Sequence, residues 1–211
     1  MSRRRSPIAT SLASSSWRSS DVAPSSTILV FGVSGVGKTV SCEDYVSRHP
    51  EWLYLRASAL LAEITGETPE SLRTETAGSI KSNQNLLGEA LRAARAKQGQ
   101  RSILLDAHAI IDNDKALVEV PLEAVADLGA DAMILLEASA QDLAQRRAQA
   151  HRRRPARSID QLTREIAAES QTVAGYARKL KIPLASAIVG ASFSLDPIID
   201  KLAPKLAQPA G

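Results

Sequence analysis

A short glycine-rich segment near the start of the sequence combines residue types that bind phosphate groups. It fits the pattern G-x-x-x-x-G-K-[ST] through Gly32, Gly37, Lys38 and Thr39. Glycines in such a loop let backbone N–H groups point inward around a phosphate at the N-terminus of a helix. The lysine then reaches the β- and γ-phosphates, and the threonine hydroxyl binds magnesium. The segment predicts a nucleoside triphosphate site formed by Gly32, Gly35, Val36, Gly37, Lys38 and Thr39.

The segments on either side of this loop have the lengths and composition that such a site needs. Residues 28–31 form a short aliphatic and aromatic run, which is typical of a buried parallel strand, and residues 40–48 are compatible with a helix. Strand, loop and helix therefore follow in the required order. The alternative, an ordinary glycine-rich turn, leaves the Lys38-Thr39 pair unexplained.

A second aliphatic run ends in an acid. Residues 102–108 read Ser-Ile-Leu-Leu-Asp-Ala-His, the pattern of a buried strand whose carboxylate emerges at its C-terminal end. In an open α/β sheet that end faces the ligand crevice. We therefore expect Asp106 to face magnesium or an ordered water beside Thr39, and a helix N-cap is the alternative interpretation. His108 lies in the same crevice, where it either contacts the substrate or makes structural hydrogen bonds.

Six arginines fall between Leu143 and Ile159, where the sequence has no acid. They are Arg146, Arg147, Arg152, Arg153, Arg154 and Arg157. Guanidinium groups repel one another unless they are solvated or bind an anion, and their planar donors match phosphate oxygens. We interpret residues 146–158 as an arginine-rich lid over the triphosphate. A solvated helix face is one alternative, and a nucleic-acid patch is another, although interleaved aromatic residues are missing.

The remaining sequence alternates between predicted strands and helices. Further strands are predicted at 52–56, 132–136 and 183–189, with a small hairpin at 109–120 closed by Pro121. Helices are predicted at 57–64, 79–97, 122–128, 139–150, 159–180 and 195–206. The apolar stripe of the long helix from 159 is interpreted as core packing. The pattern predicts an α/β fold with a doubly wound, mostly parallel five-stranded sheet flanked by helices.

Composition limits the domain organisation. With 211 residues, of which 44% are hydrophobic and 3% aromatic, the chain has material for one domain with an aliphatic core, predicted at 27–207. Residues 1–26 contain ten serines, four arginines and a single acid, so we expect a disordered tail. An organelle transit peptide is the alternative for this tail. The net charge of +3 is mildly basic.

The single cysteine and the lengths of the apolar runs bear on the cellular compartment of the protein. Cys42 excludes an intramolecular disulfide and a cysteine-cluster metal site, which favours a reducing compartment and, in our interpretation, the cytoplasm. We expect Cys42 to be a small core residue rather than a redox switch. The sequence has no run of about 18 apolar residues, so no membrane span is predicted.

The order of these segments resembles the nucleoside monophosphate kinase group of phosphate-loop proteins, and within it the archaeal-type adenylate kinases. The resemblance covers roughly residues 27–200 and is carried by the phosphate loop, by Asp106-Ala107-His108 and by the arginine-rich segment. It implies that the sheet core binds ATP with magnesium and that the helical insertion at 57–98 binds the acceptor. It also implies catalytic roles for Lys38, Arg147, Arg152 and Arg154.

The predicted acceptor region departs from that family. Adenylate kinases usually carry Gly-Asp followed by an arginine where this sequence has Ser58-Ala59 and then Ala62. Arg56 and Arg73 are candidates to replace the missing arginine, and Gln84 and Asn85 are candidates to contact a base. The acceptor-binding residues are therefore predicted to be Arg56, Ser58, Arg73, Gln84 and His108.

Two functions follow as hypotheses. The first is an ATP-dependent phosphotransferase that moves the γ-phosphoryl group to a nucleoside monophosphate, with AMP favoured, or to another small acceptor. Such in-line transfer depends on positioning, charge neutralisation and water exclusion rather than covalent catalysis. The second is a regulatory ATP-binding protein or slow NTPase whose basic segment docks nucleic acid or protein.

Overall fold

The computed structural model describes residues 25–149 and 156–206. Most of the predicted tail, the predicted lid residues Arg152 and Arg154, and the last five residues of the chain lie outside this part. The strands are β1 (Thr27–Phe31), β2 (Trp52–Arg56), β3 (Ser102–Asp106), β4 (Ile110–Asp112), β5 (Leu117–Glu119), β6 (Ala132–Glu137) and β7 (Leu184–Ile188). Five of them form the predicted five-stranded parallel sheet, and their order in it is β2-β3-β1-β6-β7.

Helices follow most of these strands and cover both faces of the sheet. They are α1 (Lys38–Arg48), α2 (Ala57–Thr65), α3 (Pro69–Thr74), α4 (Ala77–Gln84), α5 (Leu87–Gln98), α6 (Leu122–Ala126), α7 (Ala140–Gln149), α8 (Ile159–Leu180) and α9 (Asp196–Leu206). No helix within the described residues is both long and apolar enough to cross a membrane.

The core has two halves because side chains alternate along the central strands. On β1, Leu29 and Phe31 face the half that packs against α2, α5, α6 and the C-terminal part of α8. Ile28 and Val30 face the other half, which packs against α1, α7 and α9. Cys42 is buried in this second half, as expected for a core residue. The central position of β1 therefore fixes the phosphate loop that follows it between the two layers.

The insertion between β2 and β3 differs from the prediction. The sequence pattern indicated one helix at 79–97, but the chain forms α4 and α5, separated by a tight turn in which the N–H of Asn85 donates to the carbonyl of Ser82. The apolar spacing continues across this turn, so periodicity alone did not reveal the break. The preceding polar segment also contains the short helix α3, capped by Thr68.

Two local predictions are confirmed. Strands β4 and β5 form an antiparallel hairpin, and Asp114 in its turn has a φ of 74°. Helix α8 begins with a capping box, in which the Ser158 hydroxyl accepts from the N–H of Gln161 and the Gln161 side chain accepts from the N–H of Ser158. Ser158 is the last residue of the predicted lid. The hairpin contacts Arg73, which belongs to the predicted acceptor segment.

Candidate active site

The loop between β1 and α1 has the conformation of a phosphate-binding loop. Gly32, Gly35 and Gly37 all have positive φ values, of 141°, 91° and 117°. A Cβ atom on Gly32 would lie 2.4 Å from the carbonyl oxygen of Leu136 at the end of β6. The glycines at these positions are therefore required by backbone conformation and, at Gly32, also by close packing.

Lys38 is buried at the mouth of this loop, with 5% of its surface exposed. Its Nζ donates to the carbonyl oxygen of Gly32 at 2.5 Å and lies 3.6 Å from Asp106 Oδ1. The same Nζ is 3.5 Å from Nδ1 of His108. The ammonium group is thus held between the phosphate loop and the end of β3, where it can neutralise an incoming phosphate.

Asp106, at the C-terminal end of β3, faces the first turn of α1. Its Oδ2 atom accepts from the Thr39 hydroxyl at 3.3 Å and from the Tyr54 hydroxyl at 3.1 Å. Burial and the nearby Asp106 charge raise the pKa of Tyr54, so its phenol remains a donor. The first expectation for Asp106, that it faces the crevice beside Thr39, agrees with this geometry.

A hydroxyl and a carboxylate oxygen within hydrogen-bonding distance are ligands that suit magnesium. Among the described residues, no cluster of three or more histidine, cysteine, aspartate or glutamate side chains could hold a metal without help. That composition fits a cation whose remaining ligands are phosphate oxygens and water, as in sites that bind magnesium together with a nucleotide. Thr39 and Asp106 could therefore contribute to such a magnesium site.

Two arginines of α7 hold the phosphate loop from outside. Arg146 donates to the carbonyl oxygens of Val36 at 2.6 Å and Val189 at 2.7 Å. Arg147 donates through Nε to the carbonyl oxygen of Ser34 at 2.8 Å. These contacts fix the backbone carbonyls of Ser34 and Val36 in the loop.

The expectation that the arginines between 143 and 159 lack acidic partners is wrong for Arg147 and Arg157. Arg147 forms a bidentate salt bridge with Glu165 of α8, with hydrogen bonds of 2.9 and 2.7 Å, and both side chains are at most 10% exposed. Arg157 forms a similar pair with Asp112 of the β4–β5 hairpin. The acidic partners lie on other elements of the fold. A segment without acids can therefore still have acidic side chains next to its arginines. The predicted contacts of Arg152 and Arg154 lie outside the described residues.

Glu169, which sequence analysis did not identify, joins the phosphate loop to the segment after β3. This side chain is 1% exposed. Its Oε1 accepts from the N–H groups of Gly32 at 3.0 Å and Ala109 at 3.1 Å, and its Oε2 accepts from the N–H of Ile110 at 2.7 Å. Burial raises the pKa of Glu169, while Lys38 and the three N–H donors act in the opposite direction. The sequence feature that could have identified Glu169 is its position as an acid on the apolar stripe of α8.

Four of the five predicted acceptor residues line one cavity of about 110 Å³. These are Ser58, Arg73, Gln84 and His108. Ser34 of the phosphate loop lines the same cavity, so it adjoins the predicted triphosphate site. The residues that line it do not include Arg56, which is exposed at the end of β2 and is the N-cap residue of α2.

The Arg73 guanidinium is already bound to protein oxygens. It donates to the Asp112 carbonyl and the Asp114 carboxylate, both at 2.5 Å, and to the Glu70 carboxylate at 2.6 Å. The hydrogen bonds that Arg73 donates to the carboxylates of Asp114 and Glu70 raise the pKa of Arg73. Its charge is therefore balanced in the free protein, and an acceptor phosphate would have to displace one carboxylate to bind it.

The fold and this site define the class of the protein. A phosphate loop after the central strand of a five-stranded parallel sheet, with Lys38, Thr39 and Asp106 converging beside it, is the arrangement of a P-loop nucleoside triphosphate-binding protein of the kinase-like type. The chain belongs to the AAA domain family, whose model matches residues 31–163.

A solved structure supports the fold. The chain is similar to shikimate kinase from Bacteroides thetaiotaomicron, with a TM-score of 0.55 and 16% sequence identity, over 87% of this chain and 99% of that chain. At this identity the likeness extends to the fold alone. The sequence has no match among curated proteins.

Proposed function

We propose that the protein transfers the γ-phosphoryl group of ATP to a small acceptor, and that AMP is the first acceptor to test. The observation that carries this proposal is the junction of two sites. Ser34 of the phosphate loop and His108, which lies 3.5 Å from Lys38, both line the cavity that contains Ser58, Arg73 and Gln84. A molecule in that cavity would lie next to phosphates held by the loop, as in-line transfer requires.

The chain's own residues act in this proposal by positioning and by balancing charge. Loop N–H groups and Lys38 hold the β- and γ-phosphates, while Thr39 and Asp106 hold magnesium. Bound magnesium neutralises charge on those phosphates. An acceptor oxygen attacks the γ-phosphorus, the bond from that phosphorus to the bridging oxygen breaks, and ADP leaves with the bonding electrons. An acceptor that is already a phosphate needs no general base.

The arginines have separate proposed parts. Arg146 and Arg147 shape the loop through the carbonyls of Ser34 and Val36. A catalytic contact between Arg147 and the transferring phosphoryl group requires ATP to replace Glu165 as its partner. Arg152 and Arg154 complete the proposed lid.

The acceptor cavity bears on the choice of substrate. Its volume of about 110 Å³ is smaller than the roughly 300 Å³ at the lower end of small-molecule pockets. Binding of AMP therefore calls for a wider cavity than this one, and binding of its phosphate to Arg73 calls for the exchange of a carboxylate. The neutralised Arg73 also supports the second candidate function, a regulatory ATP-binding protein or slow NTPase.

The test is an acceptor panel with ATP and magnesium. AMP, other nucleoside monophosphates and small hydroxyl compounds, shikimate among them, are added singly while ADP and the phosphorylated product are measured. Product with AMP supports the adenylate-kinase-like specificity, and product with another compound identifies a different acceptor. ATP hydrolysis that no acceptor changes contradicts the phosphotransferase proposal and favours the regulatory candidate.

A pair of lysine variants makes this assay specific to the site. Lys38→Ala should lower product formation by about 100-fold or more, because electrostatic stabilisation of the transferring group is a large part of catalysis in such sites. Lys97→Ala is the matched control, since Lys97 is 71% exposed on α5, and it should leave the rate unchanged. Retained turnover in the Lys38 variant would remove the phosphate-loop assignment.

A further inference from the structure

Tyr54 on the edge strand β2 reaches the acid at the end of the neighbouring strand. The two strands are parallel and in register, with Tyr54 opposite Leu104 and Arg56 opposite Asp106. From this position the Tyr54 hydroxyl donates to Asp106 Oδ2 at 3.1 Å. The ring is half-buried and packs against the core half that contains Tyr45 and Cys42. The phenol thus connects the outer strand of the sheet to the predicted metal site.

The two oxygens of the Asp106 carboxylate have different surroundings. Oδ2 receives two donors, the hydroxyls of Thr39 and Tyr54. Oδ1 faces the Lys38 ammonium at 3.6 Å, which is longer than a direct hydrogen bond. With both hydroxyl donors on Oδ2, Oδ1 lies on the side of the Lys38 ammonium, beside the phosphate loop.

We infer that Tyr54 is a positioning residue, which orients the Asp106 carboxylate so that Oδ2 anchors the Thr39 hydroxyl and Oδ1 accepts from water bound to magnesium. Thr39 would then keep its hydrogen on Oδ2, which would leave its oxygen lone pairs available to a bound cation. This inference rests on the proposed function, because it requires that the protein bind ATP with magnesium. A purely structural role for Tyr54 would reside in its ring, which Tyr54→Phe retains.

The test measures ATP binding by calorimetry with and without magnesium, and it does not depend on turnover. In Tyr54→Phe, the gain in ATP affinity that magnesium gives should fall by about 3- to 10-fold, the effect expected for one hydrogen bond of ordinary strength. ATP affinity without magnesium should stay unchanged. Tyr45→Phe is the matched control, because it removes a hydroxyl from the same core half, and it should match the wild type.

A second pair of variants tests whether Tyr54 acts through Asp106. In an Asp106→Ala background, Tyr54→Phe should cause no further loss of the magnesium-dependent gain. An unchanged gain in the single Tyr54 variant overturns the inference, as does a loss that persists without Asp106 or that appears equally without magnesium. A wild-type protein that fails to bind ATP contradicts the proposed function itself, a result that is distinct from each of these.

Discussion

At Gly32 the chain passes too close to the end of β6 for any side chain. The missing Cβ would lie 2.4 Å from the carbonyl oxygen of Leu136 and 3.1 Å from a methyl group of Val36. The φ of 141° adds a second restriction, since side chains rarely adopt that conformation. The glycine of the sequence motif thus serves the packing of β1 against β6 as well as phosphate binding.

This geometry predicts a strong position dependence for glycine-to-alanine changes. Gly32→Ala should lower the free energy of unfolding by about 3 kcal/mol or more, because backbone atoms must move. Gly66→Ala is the control: its φ is 73°, but no atom lies within 4 Å of the added Cβ. It should cost only about 1–2 kcal/mol of left-handed strain. Urea unfolding followed by circular dichroism measures both, and equal losses would contradict the close-packing argument.

At the scale of elements, α8 both packs the sheet and supports the phosphate loop. Its apolar stripe includes the buried residues Leu162, Val173 and Tyr176, as the sequence predicted. Two buried acids lie on the same side of this helix: Glu165 binds Arg147, and Glu169 binds the N–H of Gly32. A shift of α8 would therefore change the contacts that position the phosphate loop, although no residue of α8 belongs to the motif.

Glu169→Gln tests this support. The neutral amide keeps one acceptor oxygen and introduces an NH₂ group, so one of the N–H donors of Gly32, Ala109 and Ile110 would face another donor. We expect a loss of about 1–3 kcal/mol in the free energy of unfolding, the cost of an unsatisfied buried polar group. Glu63→Gln, at a glutamate that is 72% exposed, should have little effect. A Glu169 variant as stable as this control would show that the three contacts add nothing.

Local sequence signals predicted the elements better than their partners. The strand at 28–31, the capping box at Ser158 and the hairpin near Asp114 depend on neighbouring residues, and all three are observed. The role of Glu169 could not be read in the same way, because its donors lie 137, 60 and 59 residues away in the chain. The stripe of α8 indicates that position 169 faces the core, but only the folded backbone supplies the N–H groups that satisfy a carboxylate there.

At the scale of the whole molecule, ion pairs connect elements that are far apart in sequence. Arg48 at the end of α1 binds Asp196 at the start of α9. Hydrogen bonds from Arg48, Ser194 and His49 hold the pKa of Asp196 well below its usual range. Burial alone would raise the pKa of Asp112, but its bonds with Arg157 and the Asp114 N–H lower it overall.

These lowered pKa values predict a loss of stability in acid. A carboxyl group whose pKa is depressed in the folded state stabilises the fold above the unfolded value, which is 3.8 here, and this contribution is lost as the pH falls further. Asp112→Asn and Asp196→Asn should be less stable than the wild type at pH 7, and the difference should shrink as the pH approaches 3. Asp200→Asn, at an exposed residue of α9, is the control. Urea titrations at several pH values in this range measure the free energy of unfolding of each protein. A difference between wild type and variant that stays constant with pH would contradict the lowered pKa values.

The position of the phosphate loop at the start of the domain has a consequence for biosynthesis. The ribosome completes the motif early, but the side chains that hold it come much later: Arg146 lies 110 residues after Val36, and Glu169 lies 137 residues after Gly32. Since domains generally fold as units during translation, a nascent chain that ends before α8 carries the motif without Glu169. The loop is therefore expected to take its supported conformation only late in synthesis.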